Sequence, residues 1–171
     1  MWCVIKRASK FDNAQKIKFK NIVKEADQVN MKKFDKLMEK DPFLLFTYDS
    51  SNNIIAVGAL KIPIDAHKKS VFDETQSDLG PEDVKLDPND FQYEMGWIVS
   101  KKEGLGTIVT AILSNYNPES PNQKPKVYTT VRENNEKMRF ILKRFGYLQV
   151  GEPYKSELGD YKIVLYVKKN N

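Results

Sequence analysis

A short glycine-rich segment near the middle of the chain has the composition of an anion-binding turn. It reads Lys101-Lys102-Glu103-Gly104-Leu105-Gly106-Thr107, and an apolar run that predicts a helix follows directly. Backbone N–H groups at the start of a helix have no partners within the helix, and the helix dipole favours negative charge there. Glycine lets a phosphate approach the backbone closely. We therefore expect this segment to bind an anionic group.

Two common nucleotide-binding motifs do not fit the spacing of this segment. A Walker loop ends in Gly-Lys-Ser/Thr, whereas Gly106 is followed by Thr107 and Ile108. The dinucleotide fingerprint requires a third small residue, and Val109 stands at that position. The turn therefore belongs to neither motif.

Hydrophobic periodicity and turn residues predict the elements around this segment. Helices are predicted after Asp12 or Asn13, after Asn30, over Thr107–Tyr116 and over Asn134–Phe145. Strands are predicted over Trp2–Ala8, Phe43–Tyr48, Ile54–Lys61, Phe91–Ser100, Val127–Val131, Tyr147–Val150 and Tyr161–Lys168. The order β-α-α-β-β-β-α-β-α-β-β predicts an α/β (α+β) fold with a mixed, mostly antiparallel central sheet flanked by helices.

Length and composition limit the class of protein. The 171 residues predict a single domain over 1–171, and the 40% hydrophobic content supports a packed core. The single cysteine excludes an intrachain disulfide, and no apolar run approaches the ~18 residues of a membrane span. We expect a cytoplasmic protein without a membrane partner.

The net charge of +5 is unevenly distributed along the chain. A long connection over residues 63–90 contains a stretch from Phe72 to Asp90 with seven acids and one lysine. An acidic connection attracts amines, and a basic remainder attracts phosphates. The alternative, a solvated loop that offsets a basic surface, stays open.

Three parts of the sequence together resemble the GNAT superfamily of acyl-CoA-dependent N-acetyltransferases. Lys101-x-x-Gly104-x-Gly106 resembles the pyrophosphate loop of that family, although the family usually has Gln or Arg at the first position. The segment from Glu94 to Val99 is similar to its fourth strand. Asn135 with Phe145-Gly146-Tyr147 resembles its helix signature. The element order also agrees, so the resemblance covers nearly the whole chain.

The resemblance implies how acetyl-CoA, a co-substrate, would be bound. Ile98 and Val99 would face its pantetheine arm, and Asn135 would contribute to the same binding site. The pyrophosphate would lie on Lys101, Lys102, Glu103, Gly104, Leu105, Gly106 and Thr107.

Glu94 is the candidate general base, because an attacking amine must lose a proton and alternation places Glu94 beside Gly96 and Ile98. The alternative for Glu94 is an ion pair with a lysine or arginine. Many family members carry a tyrosine, the general acid, where this chain has Leu142.

These observations predict an N-acetyltransferase that acts by direct attack in a ternary complex. The acceptor would be a primary amine of a small molecule, or a protein lysine or N-terminus, and the acidic connection favours a cationic one. The missing tyrosine favours an alternative, a catalytically lapsed acyl-CoA-binding or protein-interaction module. The basic body suggests an RNA-bound or protein-bound acceptor, but the sequence has no recognised nucleic-acid motif. It also has no metal-ligand cluster, and it carries no indication of an oligomeric state.

Overall fold

The computed structural model describes residues 1–27, 29–75, 86–119, 123 and 125–168. Within these residues the strands are β1 Trp2–Arg7, β2 Phe43–Tyr48, β3 Ile54–Lys61, β4 Tyr93–Ser100, β5 Val127–Arg132, β6 Tyr147–Lys155 and β7 Lys162–Lys168. The helices are α1 Asn13–Glu25, α2 Met31–Met38, α3 Asp65–Glu74, α4 Leu105–Asn115 and α5 Glu136–Arg144.

One seven-stranded sheet has the order β1-β2-β3-β4-β5-β7-β6. The pairs β1–β2, β2–β3, β5–β7 and β6–β7 are antiparallel, and β4–β5 is parallel. The predicted fold class, a mixed and mostly antiparallel sheet with helices, is therefore confirmed. The chain forms two compact units, residues 1–62 with 95–113 and residues 63–94 with 114–171. The prediction of one domain over 1–171 stays a prediction.

The first unit is built around aromatic side chains from α1, α2, β2 and β4. Phe19 is fully buried and packs edge-on against Phe46 and Trp97. Helix α1 begins at the predicted cap, since the Asp12 side chain accepts from Gln15 N in a capping box. Gly58 in β3 brings α4 close, because a Cβ there would lie 2.6 Å from Val109 Cγ1.

The second unit has its own apolar core between α3 and strands β5, β6 and β7. Its buried members are Val71, Phe72, Phe91, Tyr128, Val150, Leu165 and Val167. Helix α5 is capped by Asn135, whose side chain accepts from Met138 N, and Gly146 follows the helix at φ 77°. Both ends of the predicted helix are thus explained by local chemistry.

Two expectations about this unit were wrong. The connection over residues 63–90 is not wholly irregular, because it contains α3. That helix has no side-chain N-cap, and its buried Val71 and Phe72 are adjacent, so the sequence shows little helical periodicity there. Tertiary packing therefore stabilises the helix. Strand β6 does not end at Val150. It continues after a shift in register between Val150 and Tyr154, where Gly151 has φ 64°. The glycine forms a bulge within the strand and does not end it.

Candidate functional site

The glycine segment lies on the surface of the first unit, between β4 and α4. Residues 101–104 are exposed, and Leu105 begins α4 as a buried anchor. Gly104 adopts φ 80°, and a Cβ there would meet nothing within 4 Å, so the backbone conformation alone requires glycine. Lys101 N donates to Ile55 O at 2.9 Å, which fixes the start of the turn to β3.

Part of the hydrogen-bonding capacity of this turn is used internally. Thr107 N donates to Gly104 O at 3.1 Å, and Leu105 N donates to Lys102 O at 3.4 Å. The N–H groups of Leu105 and Thr107 therefore already have partners within the turn. Lys101 and Lys102 are both exposed, with the acid Glu103 next to them, beside the start of an 11-residue helix whose dipole favours an anion.

Strand β4 departs from regular geometry just before the half-buried Ile98 and Val99. Trp97 has φ 53°, a left-handed conformation that is unusual for a bulky residue. Its indole packs on Phe34 at 4.4 Å between ring centroids, and Lys61 Nζ lies 5.5 Å from its centroid. The regular alternation that predicted a common face for Glu94 and Ile98 is therefore broken at Trp97.

Buried Lys61 explains the glycine of this strand. A Cβ at Gly96 would lie 3.0 Å from both Cε and Nζ of Lys61, which is itself 7% exposed. Glycine at position 96 therefore leaves room for the lysine side chain beside β4.

Glu94 lies in the second unit, where it is 5% exposed. It pairs in register with Tyr128 on the parallel strand β5, and the Tyr128 hydroxyl donates to Glu94 Oε2 at 3.5 Å. A buried carboxylate is costly unless hydrogen bonds stabilise it, and this phenol supplies one. Glu94 is therefore a buried acid with a phenolic hydrogen-bond donor beside it.

A second tyrosine belongs to the same cluster. Half-buried Tyr154 packs against the core of this unit after the β6 bulge. Burial, with the nearby carboxylates of Glu94, Glu74 and Glu157, raises its pKa well above its usual range. Burial also raises the pKa of Tyr128, and the Glu94 carboxylate adds to this shift. Both phenols therefore stay protonated at neutral pH.

Solved structures with the same fold were found over nearly the whole chain. An acyl-CoA N-acyltransferase from Pseudomonas aeruginosa matches with a TM-score of 0.67 and 15% identity, over 99% of this chain and all of the other. Arabidopsis thaliana NAA60, solved in complex with acetyl-CoA, matches with a TM-score of 0.61 and 13% identity over 97% of each chain.

A third match is a chimera of spermidine N-acetyltransferase SpeG from Vibrio cholerae and hSSAT. Its TM-score is 0.60 with 11% identity, over 96% of this chain and 95% of the other. The chain has the GNAT fold. No protein-family model and no curated protein matches the sequence.

Two residues of the second unit bear on the family pattern of the GNAT fold. Asn135 uses its side-chain oxygen to cap α5, accepting from Met138 N at 3.1 Å. Leu142, at the position where many family members have a tyrosine, is fully buried. Its side chain belongs to the core and has no group that could donate a proton.

Sequence reasoning missed Tyr128 and Tyr154 as partners of Glu94. The pairing of Glu94 with Tyr128 depends on the register of two strands more than 30 residues apart. Tyr154 follows Gly151 and Pro153, which lie beyond the predicted end of the strand at Val150. A tyrosine on the strand expected beside β4 is the one feature of the sequence that could have indicated a partner for Glu94.

Two features are absent from the described residues. None of their helices has the length and apolar character needed to cross a bilayer. No group of three or more His, Cys, Asp or Glu among them is placed to hold a metal ion.

Proposed function

We propose that this protein is an acyl-CoA-dependent N-acyltransferase that moves an acetyl group from acetyl-CoA to a primary amine. The observation that carries the proposal is the exposed glycine turn with two lysines that leads into α4 on a GNAT fold. Such a turn favours a phosphate-bearing ligand through charge, helix dipole and open backbone together.

The residues of the turn fit the pyrophosphate of coenzyme A. Lys101 and Lys102 would neutralise its charge, Glu103, Leu105 and Thr107 would shape the turn, and Gly104 and Gly106 would admit it to the backbone. Ile98 and Val99 would border the pantetheine arm, and Asn135 would contribute through the start of α5. When bound, acetyl-CoA supplies an acetyl group activated as a thioester.

Glu94 would act on the acceptor. We propose that its carboxylate takes the proton that the amine nitrogen loses as it attacks, directly or through one water. The nitrogen–carbon bond forms as the carbon–sulfur bond of the thioester breaks, and coenzyme A leaves as a thiolate that solvent water protonates. Tyr128 and Tyr154 stay protonated beside it, so neither phenol competes with Glu94 as a base. This is direct transfer in a ternary complex, with no nucleophile of the protein acylated.

The acceptor would be a cationic amine, of a small molecule or of a protein lysine or N-terminus. Asp73, Glu74, Asp87 and Asp90 of the acidic connection are exposed, whereas Asp78, Glu82 and Asp83 lie outside the described residues. Some of the exposed charge is used locally, since Lys126 Nζ lies 3.1 Å from Asp90 Oδ2 and Lys69 pairs with Asp73. The remainder favours a positively charged partner.

Thiol release tests the proposal. Purified protein is incubated with acetyl-CoA and a panel of polyamines, aminoglycosides, amino acids and lysine-containing peptides, and free coenzyme A is followed. Release that depends on both acetyl-CoA and an amine is expected. The absence of release with every class of amine would overturn the enzymatic proposal.

The fully buried Leu142 favours a second candidate, an acyl-CoA-binding module that has lost its chemistry. Calorimetry separates the two candidates. Both predict acetyl-CoA binding, but only the enzyme predicts amine-dependent thiol release. Binding without release by any amine would favour the module.

A further inference from the structure

Tyr128 is the residue of β5 that lies directly beside Glu94. The two are register partners in the parallel β4–β5 pair. Tyr128 is fully buried, so its hydroxyl requires a partner within the protein. It has one in Glu94, at 3.5 Å between the phenolic oxygen and Oε2.

The ring of Tyr128 is held by two other aromatic residues. Phe72 of α3 meets it edge-on with 5.6 Å between ring centroids, and Phe91 does so at 6.2 Å. Phe72 and Phe91 also contact each other at 5.3 Å. This packing fixes the rotamer of Tyr128 and so the direction of its hydroxyl, because a buried ring between two others cannot rotate without displacing them.

The protonation state of Tyr128 suits a permanent donor. Burial, together with the neighbouring carboxylate, raises its pKa far beyond the neutral range. The hydroxyl therefore keeps its proton across the neutral pH range. Such a donor holds the neighbouring carboxylate in one orientation and does not compete with it for a proton.

We propose that Tyr128 is the positioning residue of Glu94, fixing one carboxylate oxygen so that the other is aimed at the acceptor nitrogen. This inference rests on the proposed role of Glu94 as the base. The proton passes from the amine nitrogen to Glu94, and Tyr128 keeps its own throughout. The strand register and the aromatic packing from α3 thus serve the orientation of one side chain.

Tyr147 provides a matched control for this inference. It is also buried, burial raises its pKa to about 12, and its hydroxyl lies 3.0 Å from Ser114 Oγ. Tyr147→Phe removes a buried phenolic hydrogen bond, as Tyr128→Phe does, but leaves the Glu94 carboxylate with its partner. The two variants therefore share the structural loss and differ in the proposed positioning.

The test compares kcat, KM and thermal unfolding of Tyr128→Phe and Tyr147→Phe in the full chain, with acetyl-CoA and the best amine from the panel. Tyr128→Phe is expected to lower kcat about tenfold or more, the scale of a hydrogen bond to a charged group, with KM for acetyl-CoA unchanged. Tyr147→Phe is expected to keep kcat. Equal kcat in the two variants would overturn the inference. Tyr128→Met, with a flexible apolar side chain in place of the ring, repeats the test if Tyr128→Phe does not fold.

Glu94→Gln and the double variant separate this inference from the proposed function. If Glu94→Gln keeps full turnover, Glu94 is not the base, and both proposals about it are wrong. If Glu94→Gln loses turnover while Tyr128→Phe behaves like Tyr147→Phe, only the positioning role is wrong. Strong non-additivity is expected, with Tyr128→Phe costing little in the Glu94→Gln background.

Discussion

The turn between β4 and α4 and the cluster around Glu94 are opposite kinds of environment. Residues 101–104 are exposed and carry two lysines, and their geometry depends on the backbone of Gly104. Glu94 and Tyr128 are buried, and their geometry depends on strand register and aromatic packing. The first suits a large, hydrated anion, and the second suits the transfer of a single proton.

Two glycines with positive φ show the same contrast between an exposed and a buried environment. Gly104 has open space around its α-carbon, whereas a Cβ at Gly151 would lie 2.1 Å from Thr75 O. One glycine serves a turn, and the other serves the contact between α3 and the β6 bulge, where Glu152 N donates to Thr75 O at 2.6 Å. The exposed turn therefore tolerates added atoms that the buried contact does not.

The largest effect on stability is expected from Gly151→Ala. The left-handed conformation and the backbone clash should together lower the free energy of unfolding by about 3 kcal/mol. Gly104→Ala shares the conformation without the clash and should cost about 1 kcal/mol. Urea unfolding of both variants measures the difference. Equal losses would mean that the contact between Gly151 and Thr75 relaxes without cost.

Glu94→Gln should lower kcat by about 10²-fold or more, because a base contributes to proton removal and not to donor binding. The affinity for acetyl-CoA should stay within twofold or so of the wild type, well under the tenfold that marks about 1.4 kcal/mol. Steady-state kinetics and calorimetry give the two numbers. Glu136→Gln, which changes an exposed acid of α5, is the control and should leave both unchanged. A loss of affinity equal to the loss of kcat would contradict the separation of the two regions.

Removing the two lysines of the turn should lower the affinity for acetyl-CoA and leave kcat nearly unchanged, the reverse of the effect of Glu94→Gln. The double variant Lys101→Ala/Lys102→Ala is expected to bind acetyl-CoA about tenfold more weakly, with kcat at saturation nearly unchanged. Lys36→Ala/Lys40→Ala removes the same charge from exposed positions at the end of α2. If the control variant loses as much affinity, the effect is one of net charge and not of the turn.

The smallest effect concerns the acidic connection. Exposed charges act over about 8 Å at physiological salt and are worth up to about 1 kcal/mol each. The KM for a cationic amine should therefore rise with salt, and Asp73→Asn/Glu74→Gln/Asp87→Asn should raise it at low salt by up to about fivefold. A neutral amine is the matched substrate control. A KM that salt does not change would leave the connection without a role in acceptor binding.

Local chemistry made much of the fold predictable. The caps at Asp12, Asn30 and Asn135 stand where the helices α1, α2 and α5 begin, and strands β2 and β3 have their predicted bounds. Helix α3 and the second half of β6 were not predictable in this way. Their stability comes from contacts such as Phe72 with Tyr128 and Gly151 with Thr75, which join distant parts of the chain.

The candidate site also has one part that local sequence specifies and one part that distant contacts specify. The turn from Lys101 to Thr107 is continuous in sequence, so its residue types and spacing indicate its chemistry. The partners of Glu94 come from β5 and β6, and no local pattern specifies which side chains lie opposite it. The left-handed Trp97 also changes which residues of β4 share a face, and a bulky residue gives no local signal of that conformation.

Calorimetric titration of acetyl-CoA into the wild type, Gly106→Val and Glu94→Gln tests the central claim most directly. The claim is that the turn at α4 binds the donor and that Glu94 does not. The wild type should bind in the micromolar range, Gly106→Val at least tenfold more weakly by about 1.4 kcal/mol, and Glu94→Gln as tightly as the wild type. A folded Gly106→Val variant with wild-type affinity would contradict the account.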